Sequence, residues 1–236
     1  QYPITYGAIN FCEAIAKKHE HFTGVKVDPL TEICVTCGST EAMMCSVMGI
    51  CNPGDKVIAF SPFYESYEAD AIMSGSEIEY IALVPPEFKF DKVQLEKAMA
   101  DTKAKALILC NPSNPCGKVF TREELETIAK LAIKHDIYVI TDEVYEHIVY
   151  KPYKHTYIST LPGMHERTIM CNSLSKTYSI TGWRLGYFIS NPRIVASCCK
   201  VHDFTTVASA APLQEAAIAG LEMDDSYYEG LQAHYT

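Results

Sequence analysis

At 236 residues the chain is long enough for one large domain or two small ones, and 48% hydrophobic with 21% charged residues is ordinary globular composition. A net charge of −9 and the lack of any lysine- or arginine-rich block exclude a general nucleic-acid or anionic-membrane binder. No stretch approaches the ~18 uninterrupted apolar residues of a membrane helix, and the opening QYPITYGAIN lacks a signal peptide's basic and apolar regions, so a cytoplasmic location is expected.

Short apolar runs bounded by Gly, Pro, Asn or Asp recur along the chain. They are ICVT (33–36), KVIAF (56–60), EIEYI (77–81), KALIL (105–109), IYVIT (137–141), TIMC (168–171) and LGYFI (185–189), and each reads as a buried strand. Helix-like stretches lie between them at 39–51, 64–74, 91–100 and 121–136, and residues 192–235 read as mostly helical. In TREELETIAKLAIKHD, Thr121 and Glu124 form a capping box, and Leu125, Ile128, Ala129, Ala132 and Ile133 mark one apolar face. Alternating strand and helix predicts an α/β three-layer sandwich around a mainly parallel central sheet. Such sheets bind ligands beyond the carboxyl ends of their strands. With no repeat or Pro/Ser linker, one domain over 1–236 is the economical reading.

Ten cysteines are scattered, mostly through apolar segments, and read as small core residues in a reducing compartment. Cys34-x-x-Cys37 has the form of a redox or zinc motif, but no second Cys/His pair stands at metal spacing, so no metal is expected.

Polar clusters follow directly after the predicted strands. Cys37-Gly38-Ser39-Thr40 leads into a helix, which makes either an anion site or a plain helix cap. CNPSNPCGKVF (110–120) is a rigid turning connection that either only links elements or aims an asparagine amide into the crevice. Asp142 ends a strand, with Glu143 beside it and Tyr145 three residues on. NSLSKTYSITGWRLGY (172–187) sets one lysine, Lys176, among small hydroxyl residues, with Arg184 eight positions later. A lone lysine of this kind is usually solvated. A phosphate cradle, a carboxylate and an amine able to form a Schiff base are, taken together, what pyridoxal phosphate requires.

With Ser61-Pro-Phe-Tyr64, Asn111-Pro-Ser-Asn114-Pro-Cys-Gly117, Asp142-Glu-Val-Tyr145, Ser173-Leu-Ser-Lys176 and Gly182-Trp-Arg184-Leu-Gly186 in this order, the chain resembles the fold-type I aminotransferases of class I/II, over essentially its whole length. The resemblance implies that Lys176 is the Schiff-base lysine and that Asp142 faces the pyridine nitrogen. It implies that Tyr145 and Asn114 bond the cofactor's 3′-oxygen and that Tyr64 stacks on the ring. Gly38, Ser39, Thr40, Ser173 and Arg184 then form the phosphate site, and Tyr2 reaches the phosphate of a neighbouring subunit in a homodimer with shared sites. The substrates implied are an amino acid and a 2-oxo acid. Members of the family are longer: 1–236 corresponds to the large domain, and the small domain and N-terminal arm are expected to lie outside it. The arginine that clamps the substrate carboxylate has no counterpart here, since Arg122, Arg167 and Arg193 read as structural or solvent-facing. A lyase using the same cofactor and a non-catalytic domain of the same fold are the alternative readings, because fold does not fix reaction.

Overall fold

A computed structural model describes residues 3–235, apart from the side chain of Gln232. The described elements begin with a helix, α1 (Ile9–Thr23), then β1 (Ile33–Thr36), α2 (Ser39–Ile50), β2 (Lys56–Ser61), α3 (Ser66–Ser74), β3 (Glu77–Ala82), α4 (Lys92–Met99), β4 (Ala104–Cys110) and α5 (Arg122–Lys134). There follow β5 (Tyr138–Asp142), β6 (Thr168–Ser173), β7 (Gly186–Ile189), α6 (Pro192–Thr205), α7 (Ala211–Leu221) and α8 (Asp225–His234). Each predicted strand is present within two residues at either end. Helix α1 was not expected. Its signal was available, because Phe11, Cys12, Ala14, Ile15 and Lys18 follow a helical stripe that is buried, and Gly24 stops the helix in the left-handed conformation with φ 73°.

One seven-stranded sheet runs β1-β7-β6-β5-β4-β2-β3. The pairs β2/β3, β2/β4, β4/β5 and β5/β6 are parallel, whereas β7 runs antiparallel to both β6 and β1. The pleat sends alternate side chains to opposite faces. Cys34, Val57, Ala59, Ala106, Ile108, Ile140, Ile169 and Phe188 pack with α2, α3 and α6 on one side. On the other side Ile58, Phe60, Leu107, Leu109 and Val139 pack with α4 and α5, and Ile33, Val35, Met170 and Tyr187 pack with α1 and α7. The result is the expected three-layer α/β sandwich.

Thr121 and Glu124 form the reciprocal capping box of α5. Leu125, Ile128, Ala129, Leu131 and Ala132 are its buried residues. Ile133, expected on that face, is instead 43% exposed, turned out of the core against Gly163. Helices α4, α6 and α8 start at Asp91, Asn191 and Asp224, whose side chains accept N–H bonds from the first turn.

Reversal of β7 positions the site. Ser173 pairs with Gly186, and Gly186 with Thr36, so the connection 174–185 and the turn 37–38 both emerge at the carboxyl edge of the sheet. Asp142 pairs with Cys110 and Cys171 at the same edge.

Candidate active site

The carboxyl edge holds a cavity of about 190 Å³ lined by Ser39, Thr40, Tyr64, Asn114, Asp142, Tyr145, Ser173, Lys176 and Arg184, together with Val144, Ser175 and Thr181. Nine of the expected site residues therefore meet in one place, from segments spread over nearly 150 positions. Gly38 stands directly behind them. Tyr2 lies outside the described residues.

The Arg184 end of the cavity is built by close backbone approach. Gly38 occupies φ 87°, where a side chain is strained, and a Cβ there would stand 2.5 Å from Arg184 Nη2. A Cβ on Gly186 would meet the carbonyl carbon of Gly38 at 2.3 Å and the Ser39 nitrogen at 2.5 Å. Glycine at both positions lets the guanidinium, the turn and strand β7 stack without space between them. Gly38 is the N-cap of α2 and no side chain caps the helix. Ser39 and Thr40 are thus first-turn residues lining the cavity, not caps, and the open N–H groups with the helix dipole favour a negative charge there. Arg184, itself at φ 53°, donates from Nη1 to the Thr181 carbonyl (3.0 Å) and from Nη2 to the Cys37 carbonyl (3.3 Å). Behind the turn, Glu41 accepts the Cys37 N–H, and His202 Nδ1 at 2.9 Å and the Thr206 hydroxyl at 2.6 Å bind the same carboxylate. Burial pushes the Glu41 carboxyl up, but these donors outweigh it and hold it below its ordinary value.

At the other end Asp142 is buried. Its Oδ2 accepts from the Tyr67 hydroxyl at 2.7 Å and its Oδ1 from the Val144 N–H at 3.3 Å. Burial raises its pKa to about 6, opposed by those two hydrogen bonds and by Lys176. Tyr67 was missed by sequence reasoning. It stands three residues after Tyr64, one turn along, and a tyrosine buried in an apolar core needs a partner for its hydroxyl. Ser175 and Thr181 were also missed, although both lie inside the stretch that carries Lys176 and Arg184.

Tyr64 is half-exposed and meets Tyr67 edge-on, ring centroids 5.9 Å apart. The segment carrying Tyr145 is pinned from behind. Glu143 lies 2.9 Å from His155 Nε2, and Glu146 accepts from Lys18 of α1 and from the Tyr157 hydroxyl at 2.8 Å. Burial pushes the Glu146 carboxyl up, yet Lys18 and His147 hold it well below the usual carboxylate range. Burial raises the Tyr145 phenol, with Cys110, Asp142 and Tyr64 adding to it, so it keeps its proton and can donate. Of the two asparagines, Asn114 lines the cavity while Asn111 is consumed internally, accepting from the Phe120 N–H at 3.1 Å. Cys34 and Cys37 do not form a common site: Cys34 Sγ lies against Cys199, and Cys37 Sγ lies 3.6 Å from Ser209 Oγ. Arg122 pairs with Glu126 on its own helix and Arg167 with Asp136, so neither serves the cavity.

These groups fit pyridoxal phosphate. Hydroxyls, open N–H groups and a forked guanidinium suit a phosphate, a primary amine suits an aldehyde, and a buried carboxylate suits a pyridinium nitrogen.

Comparison with known proteins gives the family. Residues 1–234 match the family described as aminotransferase class I and II. The probable N-succinyldiaminopimelate aminotransferase DapC of Mycobacterium tuberculosis is 35% identical over 98% of this chain and 59% of its own length. Kynurenine–oxoglutarate transaminase 3 of rat is 36% identical over 95% of this chain and 51% of its own. Among solved structures, the M. tuberculosis N-succinyldiaminopimelate aminotransferase superposes with a TM-score of 0.95 at 35% identity, covering 99% of this chain and 61% of that one. Escherichia coli YbdL, for which a methionine aminotransferase function is described, gives 0.95 at 34%, covering 100% and 62%. The chain thus spans between half and two-thirds of the length of these relatives. It belongs to the class I and II aminotransferase family.

Proposed function

We propose that residues 1–236 are the cofactor-binding large domain of an aminotransferase that uses pyridoxal 5′-phosphate to move an amino group between an amino acid and a 2-oxo acid. The carrying observation is that Lys176, Asp142 and Arg184 line one cavity, with hydroxyl donors beside the guanidinium and a buried carboxylate behind. When bound, the cofactor supplies an aldehyde for the amino group and an electron-withdrawing ring. Lys176 Nζ would hold the cofactor through its aldehyde and would carry the proton that the reaction moves. Asp142, steadied by Tyr67 and Val144, faces the ring nitrogen and keeps it protonated. Arg184, Ser39, Thr40 and Ser173, on the Gly38 turn, bind the phosphate. Asn114 and Tyr145 donate to the ring oxygen, and Tyr64 covers the ring. The arginine for the substrate carboxylate, the small domain and the N-terminal arm belong to the remaining length found in the relatives. A homodimer with Tyr2 reaching a neighbouring site is part of the same reading. Ten free thiols suit a reducing, cytoplasmic location.

Borohydride reduction of the protein mixed with pyridoxal phosphate, followed by peptide mapping, tests the assignment. The label is expected on Lys176, and Lys176→Ala should lose both label and visible absorbance band. A band that persists in Lys176→Ala would refute it. Adding one equivalent of amino acid separates reactions: a transaminase leaves the cofactor in its amine form, whereas a lyase releases an oxo acid and keeps the aldehyde.

A further inference from the structure

Ten thiols are present and eight are buried, but two of them touch each other. Cys34, on edge strand β1, points to the α6 side of the sheet, and its Sγ lies 3.4 Å from Sγ of Cys199 on α6. Cys199 also borders a second cavity, of about 410 Å³, walled by Ile4, Thr5, Tyr6, Lys200 and Asp203. One turn further along α6, His202 is paired with Glu41 at 2.9 Å, and that carboxylate draws it toward the cationic form.

We propose that Cys199 and Cys34 form a peroxide-sensitive dithiol, with Cys199 the attacking sulfur and Cys34 the resolving one. The two sulfurs differ in surroundings. Cys199 accepts a hydrogen bond from Cys34, and that bond, with His202 and the Tyr6 phenol nearby, holds its thiol below the ordinary value against the opposing effect of burial. Cys34 is raised, first by donating to Cys199 and then by burial. A thiolate is the nucleophile in such chemistry. Cys199 thiolate attacks one oxygen of hydrogen peroxide, the O–O bond breaks, and hydroxide leaves to become water. Cys199 is then a sulfenic acid, oxidised by two electrons. Cys34 loses its proton and attacks that sulfur, the S–O bond breaks, and a second water leaves as the disulfide closes. Two thiols and one peroxide thus yield one disulfide and two waters. The sulfurs must close by roughly 1.4 Å to reach the bond length of about 2.05 Å. The cross-link would tie α6 to the strand that carries the Cys37-Gly38 turn.

Titration of the purified protein with hydrogen peroxide, read by intact mass and a non-reducing peptide map, tests this. The expected result is a loss of two hydrogens, reversed by dithiothreitol, with one cross-linked peptide joining Cys34 to the Cys198-Cys199 segment. Cys198 faces Gly49, so Cys198→Ala should cross-link as wild type does, whereas Cys199→Ala should not. In Cys34→Ala a 1,3-dione probe should trap sulfenic acid at position 199. Oxidation confined to the half-buried Cys37 and Cys116, or a cross-link that survives Cys199→Ala, would overturn the proposal. The wild-type map decides the question even where a core variant does not fold.

Discussion

Burying a carboxylate costs free energy unless donors compensate, and Asp142 is compensated only in part. Its folded pKa of about 6 lies above the ordinary 3.8, so the folded state holds the proton more tightly than the unfolded one. The stabilisation this gives is complete below the unfolded value and is lost as pH rises through about 6. At about 1.4 kcal/mol per pKa unit the loss is on the order of 3 kcal/mol. Without cofactor, Asp142→Asn should therefore gain stability on wild type between pH 4 and pH 7.5, read as the difference of their urea midpoints at the two values, while binding pyridoxal phosphate far more weakly. Tyr67→Phe acts in the opposite sense. The ionised carboxylate loses its O–H donor, and the variant should be about 1.5–3 kcal/mol less stable above pH 7, with a smaller deficit at pH 4. An equal deficit at both pH values would show that Tyr67 contributes packing alone.

Helix α5 tests the local code. Thr121→Ala removes one half of the capping box and should cost about 1 kcal/mol in urea denaturation. Glu124→Ala should cost more, because Glu124 also takes the ammonium of buried Lys118 at 2.8 Å and would leave that charge unpaired. Equal costs would mean that Lys118 escapes to solvent. Ile133 marks the limit of such reasoning. It fits the helical stripe, yet the stripe's width depends on what packs above it, and the 163 turn meets it outside the core. The reversal of β7 has the same character: an apolar run of four residues reads alike in either direction, and only pairing with Met170–Ser173 and Ile33–Thr36 sets its sense.

For the whole molecule, Phe204 near the end of α6 is 89% exposed, and Val207 follows at 41%. Both lie beside Thr206, whose contact with Glu41 backs the Cys37–Gly38 turn. For the homodimer proposed here, the prediction is that this apolar pair is buried in the contact. Burying one phenylalanine contributes about 1.5–3 kcal/mol. Phe204→Asp should therefore raise the dimer dissociation constant at least about tenfold in sedimentation velocity, without moving the melting temperature of the monomer. An unchanged constant would place the contact elsewhere.

The seven strands, the caps and the order of the polar clusters were determined by local sequence, because periodicity, capping and turn chemistry act over a few neighbouring residues. So was the proposed kind of chemistry: a lysine among hydroxyls and an aspartate stand at or just after strand ends, and a Gly-Trp-Arg run stands just before β7. Tertiary structure alone decided that β7 runs backward, that Gly38 and Gly186 must both be glycine, that Tyr67 anchors Asp142 and that Cys34 meets Cys199. Each of the last three is a contact between residues far apart in the chain, at 38 and 186, 67 and 142, 34 and 199, and such distances, like the pairing that reverses β7, are closed by packing rather than by any local preference.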